Sequence, residues 1–160
     1  MSYILGSDNE ITLALIETHH DDRLYFEIRL KENSKVVGHI SYHFRDVKIF
    51  GNVECFIKEE YRGNNYATKA LSILVDNLYK IDDEDIYLAI LPDNIPSIKS
   101  ALACGAVFHH KARIPEYYAF SKNGKYTFAN VYIIKNEKAK SENNKIKRLE
   151  KIRRNKNDRH

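Results

Sequence analysis

Tyr61-Arg62-Gly63-Asn64-Asn65-Tyr66-Ala67 decides how the rest of this chain is read. The stretch is short and polar. It lies between an apolar extended run, Val53 to Ile57, and an apolar run at helical spacing, Ala67 to Leu78. A strand, a loop with Gly and Asn, and then a helix make an anion cradle. The first N–H groups of a helix have no intrahelical partner and sit at the positive end of the helix dipole. A phosphate is readily held there. Gly63 permits close backbone approach, and Asn is the non-Gly residue most at ease with positive φ. Arg62 offers a planar charged fork for phosphate oxygens. Many such turns join a strand to a helix and bind nothing, so the loop alone leaves both readings open. It matches neither the nucleotide P-loop G-x-x-x-x-G-K-[ST] nor the dinucleotide fingerprint G-x-G-x-x-G.

Working outward, the apolar positions 67, 70, 71, 74, 75 and 78 form a stripe at 3.6-residue spacing, which predicts a helix. Upstream, Ile11 to Glu17, Leu24 to Leu30, Val36 to Phe44 and Lys48 to Ile57 read as strands, the first two joined by a connection too short for a helix. Downstream, Ile86 to Leu91 is apolar on both faces, as in a covered strand. Asn94 caps a shorter helix with Pro96 in its first turn, and Gly105 ends it. Val107 to Ala112 and Thr127 to Ile134 read as the last strands, joined by an aromatic loop with Tyr117, Tyr118 and Phe120.

The 160 residues suit one domain of ordinary globular composition. No apolar stretch approaches the ~20 residues of a membrane span, and the N-terminus lacks the pattern of a secretory signal. Cys55 and Cys104 form no C-x-x-C; both read as buried thiols in a reducing cytoplasm, and a cytoplasmic location is expected. The net charge of +4 divides unevenly: residues 136–160 hold ten Lys/Arg and four Asp/Glu, and residues 1–135 hold sixteen against eighteen. The domain is therefore expected over 1–135, followed by a basic, partly helical or disordered tail over 136–160. In that tail Ile146, Leu149 and Ile152 recur at three-residue spacing. Its solvated reading stands beside an electrostatic contact with nucleic acid, which is not favoured, or with an acidic partner, and beside an oligomer contact. His19-His20, His109-His110 and His39/His43 are spaced poorly for a shared ion, the last pair about 13 Å apart along a strand, so no metal is expected.

Arg62-Gly63-Asn64-Asn65-Tyr66-Ala67 resembles the acyl-CoA pyrophosphate loop Q/R-x-x-G-x-G/A of the GNAT superfamily of N-acetyltransferases. Asn94-Ile95-Pro96-Ser97, followed by Gly105-Ala106-Val107-Phe108, is similar to the N-x-x-S…G-F segment of its ribosomal-protein-type branch. The likeness runs from Val53 to Phe108, in the family's order and spacing. The loop's usual second Gly is here Asn65.

The resemblance implies an α+β (α/β) fold. A mixed, mostly antiparallel sheet of about six or seven strands would carry helices on its faces, with its fourth and fifth strands splayed and the family's first two helices missing. It implies acetyl-CoA as co-substrate. Backbone groups of Cys55, Phe56 and Ile57 would hold the pantetheine arm, Arg62, Gly63, Asn64, Asn65, Tyr66 and Ala67 the pyrophosphate, and Asn94 and Ser97 would help fix the pantetheine. The implied activity is transfer of an acetyl group to a primary amine by direct attack, with a peptide or protein amine favoured over a small molecule. The alternative is a catalytically weak CoA-binding or ribosome-associated module that uses the basic tail. An amine substrate must lose a proton. Glu54, a carboxylate within an apolar strand, is the candidate base, against a reading as an edge-exposed or ion-paired Glu. Relatives place a Glu where this chain has Ala89 and a Tyr acid where it has Ala101, so Tyr117 or Tyr118 is the candidate acid. With so short a connection between the first two strands, the acceptor site is expected to be shallow or completed by a second subunit in a homodimer.

Overall fold

A computed structural model describes residues 3–16, 22–44, 51–114 and 128–157. Tyr117, Tyr118, Phe120, His19, His20 and the Lys48–Phe50 start of the expected fourth strand lie outside the described residues. The strands form two sheets. The first is a five-stranded meander in the order β1 (Ile4–Ser7), β2 (Ile11–Ile16), β3 (Arg23–Leu30), β4 (Val36–His43) and β5 (Val53–Ile57). The second has three strands in the order β6 (Ile86–Ile90), β8 (Phe128–Ile134), β7 (Val107–Arg113). Every ladder between these strands is antiparallel. α1 (Tyr66–Asn77) links the two sheets, α2 (Ile95–Ala103) links β6 to β7, and α3 (Glu137–Asn157) follows β8.

The eight strands among the described residues exceed the expected six or seven. β1 is four residues long, too short for periodicity to single it out, and it shifts the count so that the splayed strands are β5 and β6. β2 and β3 pair directly, Ile16 opposite Tyr25, with six residues of sequence between Ile16 and Arg23 where the family resemblance implies two helices.

Period-two alternation sets the faces of the meander. Leu13, Phe26, Ile28, Ile40, Tyr42 and Val53 are buried on one face, against Ala70, Leu71, Ile73 and Leu74 of α1. Arg23, Tyr25, Glu27, His39, Ser41 and Glu54 alternate to the other face. The core continues through Leu88, Ile90 and Tyr132 of the second sheet. α1 and α2 are tied by a 2.7 Å bond between the Thr68 and Ser100 hydroxyls.

Among the described residues one bridge joins the two sheets. Gly51 makes an isolated bridge with Leu88. Next to it, the Asn52 N–H donates to the Tyr87 carbonyl at 2.9 Å. The Asn52 side chain donates to the Asp85 carbonyl and accepts from the Tyr87 N–H, both at 2.9 Å. Asn52 is buried, so each of these bonds is made where water cannot replace it. Gly51 has φ of 92°; a Cβ there would come within 2.7 Å of the Tyr87 carbonyl oxygen. From Val53 onward β5 has no ladder partner among the described residues on its β6 side, and the strands diverge.

The tail is a 21-residue helix, and its hold on the body extends past Lys135. The buried Asn136 donates its N–H to the Asp85 carboxylate at 2.8 Å and its amide to the carbonyls of Asp82 and Glu84. Ala139 is buried, and Lys140 pairs with Asp85 at 3.0 Å. The acidic segment 82–85 is thus an anchor: Asp82 also accepts the Tyr42 hydroxyl at 2.6 Å, and burial together with that bond pushes the Tyr42 pKa up.

Two outcomes follow for stability. Asn52→Ala should lower the free energy of unfolding by about 2–4 kcal/mol, because it strands two buried backbone groups; chemical denaturation measures it. A chain ending at Asn143 should unfold like the full protein. One ending at Lys135 should lose about 2–4 kcal/mol with the Asn136 bonds and the Ala139 burial.

Candidate active site

The quoted loop folds as its composition demands. Glu59–Tyr61 makes one 3₁₀ turn. Gly63 and Asn65 both take positive φ, 87° and 67°, and Asn65 is the N-cap of α1 with no side-chain cap bond and no acid in the first turn. The positive end of α1 therefore faces outward without an internal anion. A Cβ at Gly63 would meet nothing within 4 Å; the glycine is needed for its φ and for open space beside the helix end. Arg62 donates from Nε to the Ile57 carbonyl at 3.1 Å, and its guanidinium lies 5.8 Å from the Phe56 ring centre. Asn64 instead braces the loop from within, donating to the Tyr61 carbonyl at 3.0 Å.

A cleft of about 990 Å³ opens at this helix end, between β5, the loop and α2. Cys55, Phe56, Ile57, Arg62, Gly63, Asn65, Tyr66, Ala67, Asn94 and Ser97 all line it. Of the expected cofactor residues only Asn64 does not. Asn94 caps α2, accepting from the Ser97 N–H at 3.4 Å. The sequence reading missed Tyr61, Thr68, Lys99 and Ser100, which share the lining. Lys99 falls three residues after Pro96, where helical spacing could have placed it on the cleft side. A second chamber of about 440 Å³ continues past Cys55, Ala67 and Ser97 between the diverging strands, reaching Glu54, Leu88, Ala89 and Ile90.

Glu54 is exposed, which sets aside a buried carboxylate, and among the described residues it has no ion-pair partner. It stands opposite Ser41, which stands opposite Tyr25. Arg23 is engaged beside them, donating to His43 Nε2 and to the Tyr25 hydroxyl. Ala89 lines the chamber where relatives place a Glu, and Ala101 is buried, so neither position supplies an acid or base. Cys55, expected buried, is exposed on the cleft wall. The protein packed around the cleft floor still desolvates it and pushes its thiol up to about 12. It is therefore protonated near neutral pH and poorly suited to be a nucleophile. Cys104 is half-buried, its thiol pushed up to about 11 by desolvation and the Asp76 charge. His39 stacks on Phe56 at 5.5 Å, and among the described residues no three His, Cys, Asp or Glu side chains converge as a metal site. No described helix is long and apolar enough to cross a membrane.

Diverging strands beside a glycine-edged helix N-terminus that no side chain caps leave a cleft shaped for an extended ligand with a phosphate group, as a CoA-dependent acyltransferase requires. Residues 4–106 match the model of the acetyltransferase (GNAT) family, and the chain belongs to that family. Its members are acetyl-CoA-dependent N-acetyltransferases. The fold is similar to that of a spermidine N-acetyltransferase chimera from Vibrio cholerae, with 18% identity, a TM-score of 0.61, and coverage of 76% of this chain and 71% of that one. It is also similar to a putative ribosomal-protein-serine acetyltransferase from Vibrio cholerae, with 16% identity, a TM-score of 0.60, and coverage of 82% and 97%. A ribosomal-protein-S5-alanine acetyltransferase from Vibrio fischeri has 26% identity and a TM-score of 0.58, with coverage of 73% and 63%. No curated protein sequence gives a significant match.

Gly63→Glu should abolish CoA binding in calorimetry, because it sets a carboxylate at the helix end. Gly63→Ala, which adds only backbone strain of about 1–2 kcal/mol, should retain most of the affinity. Equal CoA affinity in Gly63→Glu and the unmodified protein would displace the cradle.

Proposed function

We propose that this protein acetylates a primary amine by direct attack on the thioester of acetyl-CoA, with a peptide α-amine or Lys side chain as acceptor. The observation that carries the reading is the continuity of the two chambers: the phosphate cradle leads along β5 to a carboxylate that has no ion-pair partner among the described residues. The pyrophosphate sits at the N-terminus of α1, among the N–H groups of Tyr66 and Ala67, with Arg62 and Lys99 contributing charge. The pantetheine arm runs along the unpaired edge of Cys55 to Ile57, its amide groups taking the place of an absent neighbouring strand. Asn94 and Ser97 hold it from α2.

The acceptor enters from the Glu54 side. Its ammonium gives a proton to Glu54 through water, the neutral nitrogen attacks the thioester carbonyl, and the C–S bond breaks as the C–N bond forms, the nitrogen releasing its second proton to solvent. The thiolate departs with a proton from solvent or from Tyr117 or Tyr118. The raised Cys55 pKa supports this single transfer over a route through an acetylated cysteine. The peptide preference rests on the short 17–22 connection, which leaves the acceptor side without the walls of two helices.

Glu54→Gln keeps the shape and removes the base. Turnover should fall roughly 10²- to 10⁴-fold, the acidic limb of the pH–rate profile should change, and acetyl-CoA affinity should hold, since cofactor contacts at this strand are with the backbone. Thiol release measured on matched peptide, polyamine and aminoglycoside panels tests the acceptor. A clear aminoglycoside preference would overturn the peptide assignment, and unaltered turnover in Glu54→Gln would remove Glu54 from the mechanism.

A further inference from the structure

The cleft leaves α3 unused: none of its residues lines either chamber. Its base is anchored, and its distal part is a different object. From Lys145 to Arg154 it carries six Lys/Arg and one acid, Glu150, and every one of these side chains is exposed. At about 1.5 Å rise per residue these charges spread over about 14 Å. Among the described residues the one ion pair from α3 is Lys140–Asp85, at the base; the distal cations are not neutralised by the body. Ile146, Leu149 and Ile152 are half exposed on the same stretch, at 50, 51 and 52%.

The arrangement of charge around the helix selects the occupant. Lys147, Arg148, Lys151 and Arg154 follow at steps of one, three and three and so share one side. Lys145 and Arg153 each lie four residues from Leu149 and so flank the apolar stripe itself. An apolar groove on another protein would have to bury those two cations with the stripe, at a cost its few aliphatic groups do not offset. An antiparallel pair of α3 helices centred on Leu149 would set Lys145 against Arg153. An interfacial membrane helix needs a wide apolar face on one side, and here cations stand on both. Positive charge on every side is what a helix needs when its surroundings are negative on every side.

We infer that α3 is a docking helix for duplex DNA, lying in the major groove with Lys147, Arg148, Lys151 and Arg154 on one phosphate wall and Lys145 and Arg153 toward the other. The major groove, about 12 Å wide, admits an α-helix, and the charge is carried by phosphates, one per roughly 1.7 Å of duplex. No side chain set for base reading is implied, so binding is independent of sequence.

The test uses the full chain and a fluorescein-labelled mixed-sequence DNA duplex of about 20 base pairs. With six phosphates neutralised, the plot of log affinity against log salt should have a slope of about −5, a loss of roughly 10³-fold between about 50 and 200 mM. Lys147→Gln/Lys151→Gln/Arg154→Gln should reduce that slope to about −3 and weaken binding at low salt at least tenfold, with CoA affinity and cooperative unfolding unchanged. Ile146→Ala/Leu149→Ala/Ile152→Ala should stay within about twofold of the parent, because the phosphate contacts carry the affinity. An RNA duplex of equal length should bind more weakly, since its major groove does not admit the helix. No binding at low salt, an unaffected charge variant, loss of binding in the apolar variant, equal affinity for the RNA duplex, tighter binding to phosphatidylserine vesicles, or concentration-dependent self-association in ultracentrifugation would each overturn the assignment.

Discussion

The Asn52 side chain holds this structure in its working shape. It donates to the Asp85 carbonyl and accepts from the Tyr87 N–H, doing with one amide what a pair of ladder bonds does between regular strands. Because the join is a single point beside Gly51, β5 and β6 meet there and then part. Had the ladder continued, the edge of Cys55 to Ile57 would be paired and the space between the strands filled. The cleft exists because the sheet is stapled once and released.

That opening sets what the cleft walls can do. Past the staple, β5 turns Val53 inward to the core and leaves Glu54 and Phe56 on the outer face, so one strand carries the floor of the core, an open backbone edge and a carboxylate. The following loop reverses the chain with two residues of positive φ, Gly63 and Asn65, and presents the end of α1 to the same space. α2 closes the cleft from the other side, and the Thr68–Ser100 bond sets its distance from α1.

What was legible in the residues follows from where the information lies. α1 announced itself because its stripe of Ala70, Leu71 and Leu74 is local and periodic; Asn94 and Pro96 announced α2 because capping is a property of neighbouring residues. The loop was legible for the same reason, since Gly63 and Asn65 are chosen for their own backbone angles. The staple was not. Asn52 looks like any polar residue beside a glycine, and its partners lie more than thirty positions away, at Asp85 and Tyr87. Likewise Asn136 reads as the start of a charged tail until the Asp82–Asp85 turn is brought against it. The burial of Cys55 was misjudged because an apolar neighbourhood in sequence says which face a residue takes, not whether that face is covered. Lys99 was passed over because a lone Lys in a short helix is usually a solvated one.

The topology also sets an order in time. β1 to β4 are joined by short connections, each strand pairing with the one just before it, so these pairings close small loops and cost little chain entropy. In the second sheet Ile86 meets Ile134 and Val107 meets Ile133, contacts that span long stretches of chain and form slowly. β8, the last strand, must insert between β6 and β7 before that sheet exists. On a ribosome the meander is complete while β8 is still being made, so the half that carries Glu54 and the unpaired edge of β5 waits, exposed, for the half that completes the cleft.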